Sequence, residues 1–173
     1  MPLIKDRRVV ADNWRHVSDT EDLPAEGGVI VSLKRWQNER ATLDGRNAPL
    51  GIRLNSNERP EKIAPDLDRF DVVALDFPAF KDGRAYSSAR LLRERYRYTG
   101  ELRAVGDVLR DQLPFMLRCG FDAFEYSGAT AADAAIAAFD EIDSVYQAAA
   151  DRRRSAASLR NDGSAAFLNG TCG

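Results

Sequence analysis

The stretch at residues 71–125, DVVALDFPAFKDGRAYSSARLLRERYRYTGELRAVGDVLRDQLPFMLRCGFDAFE, alternates short apolar runs with amphipathic segments, and this alternation decides the fold. The run at 72–77 is the most apolar one and predicts a strand that is covered on both faces. A helix at 84–97, a strand at 101–105, a helix at 107–118 and a strand at 121–125 follow. Strands that are separated by helices pair in parallel through right-handed crossovers, so the stretch predicts an α/β fold.

The flanking sequence continues the same alternation. Further strands are predicted at 29–32 and 50–54, and further helices at 34–43, 60–67 and 131–147. About five mainly parallel strands result, and the pattern leaves open whether they form an open sheet or a partial barrel. Residues 3–17 predict an N-terminal hairpin with a charged turn at Lys5 to Arg7. We expect one α/β domain over residues 1–147 and a flexible, disordered tail over 148–173, where the apolar periodicity is lost.

Local signals predict where two of the helices begin and end. Thr130 is suited to cap the last helix, with Asp133 in its first turn. Gly120 is expected to end the helix of residues 107–118. Pro114 removes a helical hydrogen bond, so we expect a bend at that point of the same helix.

Composition argues against several classes of protein. The formal net charge of −2 does not suit a surface built for nucleic acid, so any anion site must be local. One histidine, His16, and two distant cysteines, Cys119 and Cys172, are too few for a zinc or iron–sulfur site. No apolar run reaches the roughly 20 residues that cross a bilayer, and the N-terminus lacks the apolar core of a signal peptide. We therefore expect a cytoplasmic protein with no metal site and no membrane or nucleic-acid partner.

Ligands of parallel α/β sheets bind at the carboxyl ends of the strands, where loops and helix starts converge. Polar residues occupy three such ends, at Asp76 to Ser87, at Gly106-Asp107 and at Glu125. Arg84 and Ser87 lie in the first turn of a predicted helix, where an arginine can hold a carboxylate, a phosphate or a sulfur oxyanion. The alternative is that Arg84 only braces the loop by pairing with Asp82 or Asp76.

The other candidate ligand contacts are Arg103, Asp107, Arg110 and Gln112. Arg103 lies in an interior strand and needs a partner such as Glu101, so a structural ion pair is our first interpretation. Asp107 also suits a helix N-cap, and Gln112 either contacts a ligand or bridges buried groups. On the helix of residues 84–97, the outer arginines Arg90, Arg93 and Arg97 predict a solvated or partner-facing surface.

Five runs carry a family resemblance: GRAYS, ARLLRER, GELRA, GDVLRDQ and RCGFDAFE, all between residues 83 and 125. With them, nearly all of residues 1–147 resembles the bacterial domain-of-unknown-function 934 family. Some members are labelled probable oxidoreductases, and their genes commonly lie beside those of assimilatory sulfite reductase. The resemblance thus implies a role in reducing sulfate to sulfide, with sulfite reductase as a partner.

These observations lead to three hypotheses about the function. The first is an accessory protein of sulfite reductase, and the second is an enzyme or binder of a small oxyanion at the strand ends. The third is a non-catalytic interaction module that uses the outer arginines. The sequence has no phosphate-binding loop, no GxGxxG and no GxSxG elbow, so no cofactor is evident. These absences do not exclude a weakly bound flavin or nicotinamide.

Overall fold

The computed structural model describes residues 1–140 of the chain. Its strands are β1 (Leu3–Lys5), β2 (Arg8–Val10), β3 (Trp14–His16), β4 (Gly28–Ser32), β5 (Leu50–Leu54), β6 (Val72–Phe77), β7 (Glu101–Gly106) and β8 (Ala123–Glu125). Its α-helices are α1 (Leu33–Asn38), α2 (Arg40–Asp44), α3 (Arg84–Arg90), α4 (Leu113–Arg118) and α5 (Ala132–Ile136). Shorter helical turns lie at Pro60–Lys62, Ala64–Arg69, Leu91–Arg95, Arg110–Gln112 and Ala137–Asp140. None of the helices in this part of the chain is long and apolar enough to cross a bilayer.

Strands β4 to β8 are parallel and adjacent in chain order, which confirms the α/β prediction. Within residues 1–140 the whole sheet has eight strands in the order β2-β1-β8-β7-β6-β5-β4-β3. Strands β1 and β2 form the predicted hairpin through a turn at Asp6 and Arg7, whose φ angles of 50° and 57° suit a tight two-residue connection. The hairpin ends at Val10, however, because the chain then crosses to the opposite edge and adds β3 beside β4.

The sheet is open but strongly curled. His16 on β3 lies 2.7 Å from Glu125 on β8, although four strands separate β3 from β8 within the sheet. The right-handed twist that accumulates along a sheet allows such coiling. The sequence leaves open whether the sheet is open or a partial barrel, and the structure shows an open sheet whose β3 edge curls toward β8.

The main core lies between the sheet and its helices. Alternate strand residues such as Val73 and Leu75 pack there with Trp36 and Leu92 from the helical segments. The opposite, concave face holds a smaller apolar cluster of Ile30, Val72, Ala74 and Val105, against which Trp14 packs. A Cβ at Gly28 would come within 2.7 Å of the Trp14 ring, so the glycine lets the indole lie flat on the strand. One end of the concave face is therefore filled by Trp14.

The helix predicted at 107–118 begins later than expected. Gly106 has a φ of 93°, and the Asp107 N–H donates to the carbonyl of Phe77 at 2.7 Å. The N-cap position falls at Leu109, so the prediction that Asp107 caps the helix is wrong. Helical structure starts at Arg110–Gln112 and continues as α4 from Leu113. Pro114 consequently lies in the first turn of α4, where an N–H is not needed, and the predicted bend is also wrong. The predicted end at Gly120 is confirmed by its φ of 103°.

The arginines after residue 84 do not all face outward. Arg90 pairs with Glu94 at 3.1 Å on an exposed surface, as predicted. Arg93, in contrast, is only 17% exposed and donates to the carbonyl oxygens of Tyr98, Gly100 and Gly120 at 2.6–2.9 Å. The long arginine side chain reaches backbone carbonyls outside its own helix, so the outward prediction for Arg93 is wrong.

The last described helix, α5, begins without the predicted cap. Ala131 occupies the N-cap position, whereas the Thr130 hydroxyl lies 2.6 Å from the hydroxyl of Tyr126. Asp133 is in the first turn as predicted, and Phe139 is buried. The remainder of the predicted helix to residue 147, the end of the predicted domain and the predicted tail with Cys172 lie outside the described residues.

Candidate functional site

Polar side chains collect on the concave face, toward the carboxyl ends of the strands. They alternate with core-facing residues because successive side chains of a strand point to opposite faces. The set comprises His16, Ser32, Arg53, Asp76, Arg103 and Glu125. The curl of the sheet brings members of this set together from strands that are not neighbours.

Arg103 is the centre of a buried ionic cluster. Its side chain is 0% exposed, and its Nε donates to Glu101 at 2.8 Å, which is the pairing that the sequence suggests. Its Nη1 lies 3.0 Å from Asp12 and 3.1 Å from Glu125. Lys5 adds a second cation at 2.7 Å from Glu101. One buried guanidinium thus joins β7, β8 and the segment that leads to β3.

His16 and Glu125 form a second link in this cluster, with 2.7 Å between Nε2 and Oε1. Burial acts to raise the pKa of Glu125, but hydrogen bonds from His16 and Arg103 outweigh it and lower the pKa below its ordinary value. Glu125 is therefore a carboxylate at neutral pH, held between an imidazole and a guanidinium.

A cavity of about 480 Å³ opens beside this cluster. Its lining consists of His16, Val17, Ser18, Asp19, Glu21, Ile30, Val31, Ser32, Arg53 and Asn55. Its volume falls within the roughly 300–1,000 Å³ of small-molecule sites. Ser32 and Arg53 come from the ends of β4 and β5, so the cavity lies at the carboxyl edge, where ligands of α/β sheets bind.

The cavity wall at residues 18–21 is held by Arg35. This buried arginine donates to the carbonyl oxygens of Ser18 at 2.5 Å and Glu21 at 2.7 Å. Ser32 caps α1 by accepting the Arg35 N–H at 3.0 Å and donates its own hydroxyl to Asp19 at 2.5 Å. The wall is consequently tied to α1 and β4 by directional bonds.

Arg53 is the cation of the cavity lining. Its Nη2 donates to Asp76 on β6 at 2.6 Å, and this bond fixes the guanidinium. Its Nε is buried and has no hydrogen-bond partner within the described residues. A buried donor without an acceptor costs about 1–3 kcal/mol, which a bound acceptor could recover.

The structure places Arg84 and Ser87 at the same carboxyl edge but on its outer rim. Arg84 donates to Asp82 through Nε at 2.9 Å and Nη2 at 2.6 Å, and it also reaches Ser56 at 2.8 Å. The brace to Asp82 thus exists, and the hydrogen bond from Arg84 holds the pKa of Asp82 well below its usual range. Ser87 is exposed on α3.

Asp107, Arg110 and Gln112 lie between β7 and α4. Gln112 is buried, and its Oε1 accepts the N–H of Leu109 at 3.1 Å, which makes it a structural bridge. It also hydrogen-bonds Tyr86, whose pKa is raised chiefly by burial. None of the six sequence candidates is in the described lining of the cavity, and their ligand contacts stay predictions.

The sequence offers one overlooked signal for this cavity. In β5, LGIRL, Arg53 stands between the apolar residues Ile52 and Leu54, as Arg103 in β7 stands between Leu102 and Ala104. A charged residue at an inward position of a covered strand needs a partner, and that reasoning would have singled out Arg53. Nothing local marks His16, because its contact with Glu125 joins residues 109 positions apart.

Within residues 1–140 no group of three or more His, Cys, Asp or Glu residues is placed to hold a metal ion. No curated protein matches the chain. A family model described as "Bacterial protein of unknown function (DUF934)" matches residues 51–157, which is more than half of the chain. This match confirms the family that the five sequence runs predict.

Proposed function

We propose that the chain, which belongs to the DUF934 family of bacterial proteins, serves assimilatory sulfite reduction as an accessory of sulfite reductase. Its part would be to bind a small sulfur oxyanion in the cavity at the carboxyl ends of β4 and β5. The gene neighbourhood that the family resemblance implies supports the pathway, and the geometry of Arg53 supports the ligand class.

Arg53 carries this proposal. A planar guanidinium binds oxyanions through paired, charge-assisted hydrogen bonds. Asp76 occupies one side of Arg53, and the buried Nε has no described partner. The hydroxyl of Ser32 and the side chain of Asn55 line the same cavity and add polar groups that an oxyanion can use.

Two carboxylates also line the cavity, and their charges are largely met by neighbours. Asp19 accepts from Ser32 at 2.5 Å and lies 3.7 Å from Lys34, and Glu21 pairs with Arg15. Ion pairing reduces the repulsion that these carboxylates exert on an anion. The two carboxylates therefore leave room for an anion beside Arg53.

Calorimetric titration of the purified protein with sulfite and sulfate tests the ligand class. We expect binding by the wild type and at least a tenfold loss in Arg53→Lys, which keeps the charge beside Asp76 but loses the planar fork. The matched control is Arg69→Lys, because Arg69 pairs with Asp44 at 2.9 Å and is absent from the cavity lining. Flavins and nicotinamides belong in the same titration series as candidate cofactors.

Growth of a deletion strain tests the pathway separately. We expect the strain to grow on cysteine or sulfide and to grow poorly on sulfate and sulfite, with rescue by the wild type but not by Arg53→Lys. Normal growth on sulfate and sulfite would refute the pathway, and failure of both anions to bind would refute the ligand class.

A further inference from the structure

We infer that His16 is the acid–base residue of this cavity, with Glu125 as its positioning partner, and that the ligand is a weakly acidic oxyanion whose proton His16 takes. This inference rests on the proposed oxyanion site and adds a chemical step to it. Hydrogen sulfite is the simplest ligand of this class.

The position of the imidazole suits this role. His16 ends β3, lines the cavity and is 33% exposed, so a ligand can reach it. Its Nε2 lies 2.7 Å from Glu125, and its Nδ1 has no hydrogen-bond partner within the described residues. A carboxylate at Nε2 favours the tautomer that carries hydrogen there, which leaves the lone pair of Nδ1 available as a base.

Glu125 is built to remain ionised beside the imidazole. Its side chain is nearly buried, and Arg103 donates to the same Oε1 atom that faces His16, at 3.1 Å. A fixed carboxylate stabilises the imidazolium that forms when the other ring nitrogen accepts a proton. The same arrangement orients the ring, because the Nε2 hydrogen has one acceptor.

The step moves one proton and no electrons. The O–H bond of the bound hydrogen oxyanion breaks, its proton joins Nδ1, and the ligand remains as a dianion beside Arg53. The added positive charge on His16 is met by Glu125. Other charged groups around the ring and the cavity are Asp12, Asp19, Glu21, Arg53, Asp76 and Arg103.

A merely structural reading predicts different behaviour. If the hydrogen bond between His16 and Glu125 only holds the curled sheet together, any hydrogen-bond donor in place of Nε2 would preserve the behaviour of the protein. His16→Gln provides such a donor, since its amide nitrogen can reach Glu125, and it removes the base. Glu125→Gln instead keeps the imidazole but removes the carboxylate that selects its tautomer.

Two measurements on the full chain test the inference. Because His16 is the only histidine, ¹⁵N NMR of the histidine-labelled protein reports its tautomer without ambiguity. We expect hydrogen on Nε2 in the neutral wild type and a mixture of tautomers in Glu125→Gln.

Calorimetry at alkaline pH in two buffers of different ionisation enthalpy then measures the protons that binding takes up. Sulfate carries no proton of its own, so we expect proton uptake on sulfate binding by the wild type and none by His16→Gln.

Each outcome of these measurements either supports or overturns the inference. The Nε2–H tautomer together with proton uptake that His16→Gln abolishes would support the inference. Hydrogen on Nδ1, or oxyanion binding without proton uptake, would overturn it and leave the proposed oxyanion site standing. Absence of any sulfite or sulfate binding would overturn the proposed site and this inference together.

Discussion

Replacing Arg103 by methionine should destabilise the protein strongly at neutral pH. Methionine preserves much of the buried volume but leaves the carboxylates of Asp12, Glu101 and Glu125 without their shared cation. Removal of one partner from a buried ion pair typically costs about 3–5 kcal/mol. Lys5 and His16 still face two of these carboxylates, so we expect a value near the lower end, about 3 kcal/mol.

The pH dependence of this cost follows from Glu125. Its pKa is lowered in the folded protein, so its interactions stabilise the fold above its ordinary value of 4.5 and are lost as the pH falls through that region. Without Arg103, Glu125 loses one of the hydrogen bonds that lower its pKa, so it is protonated in the folded state at a higher pH. The difference in free energy of unfolding between wild type and Arg103→Met should therefore shrink on acidification.

Urea denaturation followed by circular dichroism at neutral and acid pH measures both effects. The control is Arg90→Met, which removes an exposed helical pair with Glu94 and should cost less than about 0.5 kcal/mol. A cost below about 1 kcal/mol for Arg103→Met at neutral pH, or a cost that grows on acidification, would refute the reasoning about the cluster.

Three further predictions concern other parts of the structure. Arg93→Ala removes the hydrogen-bond donor of three backbone carbonyls and should lower the free energy of unfolding in urea by about 2–4 kcal/mol. The same change at the exposed Arg97 should leave the free energy of unfolding nearly unchanged. Similar values for the two variants would contradict the contacts of Arg93. Gly106→Ala places a Cβ against a backbone carbonyl oxygen at a φ of 93° and should lower the thermal midpoint clearly, while Gly83→Ala, whose nearest contact would be 3.7 Å, should hardly change it. Burial raises the pKa of Tyr98 above its ordinary 10.0, so Tyr98 ionises first in the unfolded chain, and the free energy of unfolding falls as the pH rises beyond that value. Urea titrations at alkaline pH should show a smaller fall for Tyr98→Phe. An unchanged dependence on pH would show that Tyr98 is not the cause.

The parallel strands could be predicted because burial on both faces leaves a direct trace in the sequence. Runs such as the one at 72–77 are apolar throughout, and the helices between them require parallel pairing. The sequence could not predict where β3 lies in the sheet, because a three-residue strand such as Trp14–His16 is too short to show a periodic pattern. Its position depends on the curl of the whole sheet.

The errors in the helices arose where tertiary contacts prevailed over local preference. Aspartate is a favoured N-cap, yet the N–H of Asp107 is held by the carbonyl of Phe77, and the turn at Gly106 delays the helix. Helical spacing predicts that Arg93 lies on the outer face, but this spacing takes no account of how far an arginine side chain can reach.

The candidate site was predictable in its location rather than in its residues. The carboxyl-end rule led to Asp76 and Glu125, and both contact groups that line the cavity. Arg53 carried the same sequence signal as Arg103 but lies earlier in the chain, outside the stretch that matched the family most distinctively. His16 could not be found from sequence, because only the folded sheet brings it to Glu125.

The position of sulfite in a crystal of the full chain, grown or soaked without oxygen, tests the central claim most directly. We predict electron density for the oxyanion in the cavity, with one oxygen within about 3 Å of the Arg53 guanidinium and another near Nδ1 of His16. Sulfite bound only at the rim formed by Arg84 and Ser87, or a cavity that holds solvent alone at saturating sulfite, would contradict the account.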